Sequence, residues 1–150
     1  MRLLWPYSVY LLKDILSISK VTIYTDGAAR GNPGPAAIGV IIKDAAGNTV
    51  ATISRRLAAT TNNQAEYRAI IAALEKAVSL GARQVALKSD SELVVKQING
   101  LYKIKNTALR PLYQKVVELI GSLESFSISR IPREQNAAAD ALANKALDNI

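Results

Sequence analysis

Histidine and cysteine are missing from this chain altogether, and tryptophan, phenylalanine and methionine occur once each. The lack of cysteine excludes disulfides, zinc ribbons, iron–sulfur clusters and thiol nucleophiles. The lack of histidine excludes a Ser-His-Asp triad, an imidazole metal ligand and an imidazole proton shuttle. Catalysis by such a chain must run on carboxylates, hydroxyls, amides, lysine and arginine. A metal site would be all oxygen, which favours Mg²⁺, Mn²⁺ or Ca²⁺. A membrane-spanning run is missing too. The stretch Leu3 to Leu12 is broken by Pro6 and bounded by Arg2 and Lys13, short of the roughly 20 residues a bilayer requires. No small-residue cleavage site follows it, and Lys13, Asp14 and Lys20 come next. Residues 1–19 are therefore read as an amphipathic extension packed on the domain or on a partner, and no membrane contact is expected.

What is present suffices for one globular domain, expected over residues 20–150, since 49% of the 150 residues are apolar and 21% charged. Nineteen Lys+Arg against 12 Asp+Glu give a net charge of +7, a balance that suits polyanions. The charge is unevenly placed. Residues 58–95 carry four basic and four acidic side chains, whereas Lys96, Lys103, Lys105, Arg110 and Lys115 follow with no acid among them. That contrast points to a polyanion contact, nucleic acid above all, at residues 96–115.

The punctuation predicts a regular element order. Residues 21–26 alternate as a β-strand, the Gly31-to-Pro35 cluster turns the chain, and 37–43 form a second strand. A hairpin loop at 45–48 leads to a third strand over 49–57. Thr61 and Gln64 have capping-box spacing, and the helix after them carries Tyr67, Ile70, Ile71, Leu74, Ala77 and Val78 on one stripe before Gly81 stops it. A fourth strand at 84–89 precedes a helix over 90–98 that Ser89 and Glu92 would cap, and Asn99-Gly100 breaks it. A helix from about Pro111 to Ile120, a fifth strand at 125–131 and an Ala-rich helix at 136–147 complete the chain. Three meander strands followed by strand–helix alternation predict an α/β fold, a mixed sheet with helices on both faces.

Four of the acids sit where solvated charges usually do not. Asp26 ends the first strand before a glycine, Glu66 lies in the first turn of the long helix, Asp90 at a strand–helix junction, and Asp140 among alanines of the last helix. Each has a purely structural alternative: a turn residue, a helix-dipole partner, a cap and an exposed polar position, respectively. Taken together they suggest one cleft. Carboxylates brought that close cannot all ionise without a cation, and a pair of Mg²⁺ ions cleaving a phosphodiester suits such a set.

Tyr24-Thr-Asp-Gly27, Gly31-Asn-Pro-Gly-Pro35, Thr60-Thr-Asn-Asn-Gln-Ala-Glu66, Ser89-Asp-Ser91 and Ala138-Ala-Asp-Ala-Leu-Ala143 occur in this order. With these motifs the chain resembles type 1 ribonuclease H over about residues 20–148. The resemblance implies the ribonuclease H-like fold, a five-stranded mixed sheet with three antiparallel meander strands plus parallel strands. It also implies endonucleolytic hydrolysis of the RNA strand of RNA–DNA hybrids, leaving 5′-phosphate and 3′-hydroxyl ends. Asp26, Glu66, Asp90 and Asp140 match the family's metal-site acids. Asp26 would bridge two Mg²⁺ ions, Mn²⁺ being an alternative, with Glu66 and Asp90 on one ion and Asp140 on the other. Glu66 would also touch a ribose 2′-OH. Asn32, Asn62 and Asn63 match minor-groove contacts, and Thr61 and Asn106 a phosphate pocket for the DNA strand.

The chain departs from many relatives in three respects. Where they place a histidine before the last acid, this loop reads Ile131-Pro-Arg-Glu-Gln-Asn136. Arg133 is the candidate substitute, able to attract phosphate but a poor general base; the alternative is a surface arginine. The only tryptophan is Trp5, so the Trp-bearing basic protrusion of some members is lacking, with Tyr102, Lys103 and Lys105 as a reduced replacement. Nineteen residues are also too few for a separate hybrid-binding domain. A cytoplasmic monomer is expected. Competing readings are a catalytically weak or inactive module of this fold that holds nucleic acid, a domain cut from a reverse transcriptase or transposon, and a Mg²⁺ nuclease for other duplexes. The presence of all four acids argues against the inactive module.

Overall fold

The alternating apolar segments pair into one five-stranded sheet. In the computed structural model, which describes residues 18–149, β1 (Lys20–Ala29), β2 (Gly34–Lys43) and β3 (Thr49–Thr60) form an antiparallel meander. β4 (Gln84–Ser89) joins the other side of β1 in parallel, and β5 (Ser125–Arg130) joins β4, so the order is β3-β2-β1-β4-β5. The helices are α1 (Asn62–Ser79), α2 (Glu92–Ile98), α3 (Arg110–Gly121) and α4 (Ala137–Asp148). The extension expected at residues 1–19 lies, apart from Ile18 and Ser19, outside the described residues. Among the described residues no helix is long and apolar enough to cross a membrane.

Burial explains the strand compositions. β2 is buried from Ala36 through Ile42, which is why it reads as a continuous apolar run rather than an alternation. α1 packs on β1 and β2, while α4 packs across β1, β2 and β3. α3 lies on α1, and the main core between α1 and the sheet includes Ile23, Val40, Ile42, Tyr67, Ile70, Leu74 and Leu87. The expected capping box is present. Thr61 Oγ1 accepts from the Gln64 amide at 3.2 Å, and Gln64 Oε1 accepts from the Thr61 amide at 3.1 Å.

Some sequence expectations are corrected. Val78 is 39% exposed rather than buried; the covered arc of α1 centres on Ile70, Ala73 and Ala77, and Val78 lies at its margin. Ser89 does not cap α2. It stays in β4 by pairing with Arg130, and its hydroxyl accepts from the Ser91 amide at 3.1 Å. Ser91 is the N-cap, accepting from the Val94 amide. The last helix starts at Ala137, after a 3₁₀ turn over Arg133–Asn136.

Two glycines bring helices down onto the sheet. Gly27 pairs with Ile38, and Gly39 pairs with Asp26, so the two glycines point to opposite faces. A Cβ on Gly27 would collide with the Ala65 carbonyl and the Glu66 amide of α1. A Cβ on Gly39 would collide with the Ala139 carbonyl of α4 and lie 2.8 Å from the Ala143 amide. Each glycine thus admits the backbone of a helix that carries one of the four acids.

Candidate active site

Those approaches set the geometry of a cleft of about 400 Å³, lined by Asp26, Gly27, Ala28, Asn62, Glu66, Asp90, Ser91, Arg130, Arg133 and Asp140. Asp26 is buried inside β1, three residues before the strand ends, so it is not a turn residue. Glu66 is also buried and lies beyond the first turn of α1, outside the reach of a simple dipole role. Asp90 sits half-buried in the turn before α2, whose cap is Ser91. Asp140 lies half-buried in the first turn of α4 and accepts from Asn144 Nδ2 at 3.3 Å. Oxygens of Asp26, Glu66 and Asp90 all lie within 4.8 Å of one another, and Asp140 shares a hydrogen bond with Asp26.

Such crowding opposes ionisation. Burial first, then the hydrogen bond with Asp140 and the negative charges of Asp90 and Asp140, push Asp26 from 3.8 up to about 7. Burial and the charges of Asp26 and Asp90 raise Glu66 as well. Glu66 Oε2 is buried with no hydrogen-bond partner among the described residues. An orphaned buried carboxylate oxygen beside two further carboxylates fits a divalent cation, which takes hard oxygen ligands and offsets their charge.

A pH dependence follows. Asp26 binds its proton more readily folded than unfolded, so it costs no stability below 3.8 and its full penalty above about 7. In thermal melts the metal-free protein should lose stability between pH 5 and pH 8, and added Mg²⁺ should raise Tm more at pH 8. A Mg²⁺ effect on Tm that is larger at pH 5 would contradict this assignment.

Arg133 stands at the start of the 3₁₀ turn and faces the cleft. Arg130, which the sequence reading did not single out, faces it from the end of β5. Neither belongs to any of the ion pairs among the described residues, which join Arg30 to Asp148, Lys96 to Glu92 and Lys115 to Glu118. Asn136, also missed, is 1% exposed and donates from Nδ2 to the Thr25 carbonyl at 2.8 Å. A local signal for it existed, a polar residue just ahead of the Ala-rich helix, but its partner is 111 positions away.

Of the other sequence candidates, Asn32 and Asn62 come together. Asn32 Oδ1 accepts from the Asn62 amide at 3.0 Å, and Asn62 Oδ1 accepts from the Ala29 amide at 3.3 Å. Thr61 caps α1, with Asn63 following Asn62 in its first turn. Asn106, exposed, accepts from the Ala108 amide at 2.8 Å. Lys103 lines a separate cavity of about 300 Å³ with Tyr102, Arg110 and Tyr113, and Lys105 is exposed. Asn106, Lys103 and Lys105 are not among the residues lining the acidic cleft. Lys96, counted with the basic stretch, is tied to Glu92 at 2.7 Å and stands over the Tyr102 ring.

Fold and cleft together define a class, α/β proteins with a polycarboxylate site suited to divalent cations. The family described as reverse transcriptase-like matches residues 24–146. "Ribonuclease HI" of Halobacterium salinarum is 45% identical over 130 residues, 87% of this chain and 65% of that protein. The chain belongs to the type 1 ribonuclease H family.

The crystal structure of the Halobacterium RNase H1 has a TM-score of 0.85 at 44% identity, covering 87% of this chain and 99% of that one. LC11-RNase H1, solved in complex with an RNA/DNA hybrid, has a TM-score of 0.82 at 45% identity, covering 86% and 97%. "Bifunctional protein Rv2228c" of Mycobacterium tuberculosis is 43% identical over 130 residues, 86% of this chain. This chain spans 65% of the length of the Halobacterium protein and 36% of the mycobacterial one.

Proposed function

We propose that this protein is an endoribonuclease that hydrolyses the RNA strand of RNA–DNA hybrids with Mg²⁺, leaving 5′-phosphate and 3′-hydroxyl ends. The observation that carries the reading is the convergence of Asp26, Glu66, Asp90 and Asp140, from β1, α1, the β4–α2 turn and α4, on one cleft. The hybrid bound to LC11-RNase H1, 45% identical to this chain, supports the substrate. Asp26, Glu66, Asp90 and Asp140 would hold two Mg²⁺ ions, Mn²⁺ being an alternative. Bound there, such ions supply an activated water and neutralise charge on the leaving oxygen.

The rest of the chemistry belongs to the side chains. In this reading Glu66 accepts a hydrogen bond from a ribose 2′-OH, the group that separates RNA from DNA. Asn32, Asn62 and Asn63 face the minor groove. The side-chain oxygens of Asn32 and Asn62 are occupied by backbone amides, which leaves their Nδ2 donors for base edges and sugar oxygens. Thr61 and Asn106 take a phosphate of the DNA strand, and Lys103 and Lys105 its onward backbone, an affinity that weakens with salt. Arg133 and Arg130 hold permanent charge and join none of the ion pairs among the described residues, although the charge of Arg130 also acts on Glu92; in this reading both attract phosphate. Arg133 takes the place of the loop histidine as an attractor of phosphate rather than a base. In this reading the protein acts as a monomer in the cytoplasm, where R-loops and replication primers present hybrids.

End-labelled RNA–DNA hybrid, RNA duplex and DNA duplex, each incubated with Mg²⁺ or EDTA, test the proposal. The hybrid's RNA strand should be cut with Mg²⁺ and spared in EDTA. Hybrid binding without cleavage would instead make the protein a binding module. Arg133→Ala should lower turnover about tenfold, roughly 1.4 kcal/mol of barrier, and unchanged turnover across pH would return Arg133 to the surface.

A further inference from the structure

The segment that joins β5 to α4 carries both Arg133 and, through the start of α4, Asp140. Only one buried polar side chain lies on that segment, Asn136. Its Nδ2 donates to the Thr25 carbonyl at 2.8 Å and to Asp90 Oδ2 at 3.4 Å. Thr25 directly precedes Asp26, so one amide group touches the backbone beside one carboxylate and the side chain of another. Asn136 itself lies three residues after Arg133 and four before Asp140. The Thr25 carbonyl can only accept, which fixes the end of the amide that faces it.

The other end is informative. Asn136 Oδ1 is buried with no hydrogen-bond partner among the described residues. An unpaired buried carbonyl is a cost that a purely packing role would not retain, since an apolar side chain fills such a space without it. The two N–H bonds are what the position keeps. Groups that hydrogen-bond a ligating carboxylate orient it, and their loss weakens metal binding although they never touch the ion.

We infer that Asn136 is a positioning residue that clasps the Arg133–Asp140 segment to β1 and orients Asp90, thereby setting the cation affinity of the cleft. The inference rests on the cation-dependent reading above, but its test needs no nucleic acid and no turnover. Mn²⁺ binding to the otherwise metal-free protein is measured by calorimetry for wild type, Asn136→Ala and Asn136→Ser. Asn99→Ala serves as control: Asn99 Nδ2 donates to the Ile128 carbonyl at 3.2 Å, a side-chain to backbone bond not involving the cleft acids.

Asn136→Ala should weaken Mn²⁺ binding by about 10- to 100-fold, with Asn136→Ser, which retains one donor, falling between. Asn99→Ala should lower Tm and leave Mn²⁺ binding unchanged. In cleavage assays the Asn136 variants should need more Mg²⁺ for half-maximal rate, at unchanged KM for hybrid. Variants of Asn136 that lose only Tm, as Asn99→Ala does, would reduce it to a structural tie and overturn the inference. If wild type binds Mn²⁺ yet cuts no hybrid, the functional reading fails while the Asn136 comparison still stands.

Discussion

Asp26→Asn should abolish hybrid cleavage, by about 10³-fold or more, which corresponds to roughly 4 kcal/mol of transition-state stabilisation. The substitution preserves shape and removes one charge. Asp26 is the member of the cluster that engages all the others, by hydrogen bonds to Asp140 and Glu66 and through the charge of Asp90. Its loss would remove the carboxylate proposed to be shared between the metal ions, whereas the asparagines and lysines proposed to hold the duplex are untouched. Hybrid binding should persist.

The same variant carries an opposite expectation for stability. Wild-type Asp26, raised to about 7 by burial and its acidic neighbours, is ionised at pH 8 only against that environment. A neutral amide in its place carries no such penalty. Metal-free Asp26→Asn should melt higher than wild type at pH 8, the difference should shrink by pH 5, and the stabilisation by Mg²⁺ should largely disappear. Cleavage within tenfold of wild type, or a Mg²⁺ stabilisation left intact, would remove Asp26 from the centre of the site.

Gly27→Ala should be the most damaging small substitution outside the acids. An added methyl group would meet the Ala65 carbonyl and the Glu66 amide, backbone atoms that no rotamer change can move aside. Either β1 or the first turns of α1 must retreat. Overpacking of this kind costs about 1–3 kcal/mol or more, seen as a lowered urea midpoint. Activity should fall further than stability, because the retreat carries Glu66 away from Asp26 and Asp90, and misplacement by about 1 Å can cost about 10²-fold. Gly47→Ala separates this from a general effect of losing a glycine. Gly47 has open space around it but a positive φ of 86°, so it should lose stability and keep kcat. Full activity in folded Gly27→Ala would show that the close approach of α1 does not position Glu66.

Much of this architecture was legible in advance, and the elements show why. β1, β2 and α1 announce themselves through period and caps: alternation in Val21 to Asp26, a continuous apolar run in Ala37 to Ile42, and the Thr61–Gln64 box. These are local signals, carried by residues a few positions apart. Where the sequence misled, the competition was also local. Ser89 and Ser91 are both plausible caps, and only the pairing of Ser89 with Arg130 assigns the role to Ser91. The four acids could be singled out as unusual, and the family motifs identified them. Their structural alternatives could not be dismissed one at a time. Gly39, Arg130 and Asn136 were not singled out, because each matters through an element distant along the chain.

The chain's composition by itself determined the kind of chemistry open to it. With neither histidine nor cysteine, a metal site has to be built from oxygen, and acid–base work cannot use imidazole. Folding decided the rest. Whether Asp26, Glu66, Asp90 and Asp140 are four solvated charges or one cluster lining a single cleft depends on two glycines that admit helices to opposite faces of a sheet, and on an asparagine that ties the last segment to the first strand. The charge state of the cluster is likewise a property of the assembly. Asp26 reaches about 7 through burial and the fields of side chains that are up to 114 positions distant, 26 to 140, and no local stretch of sequence carries that sum.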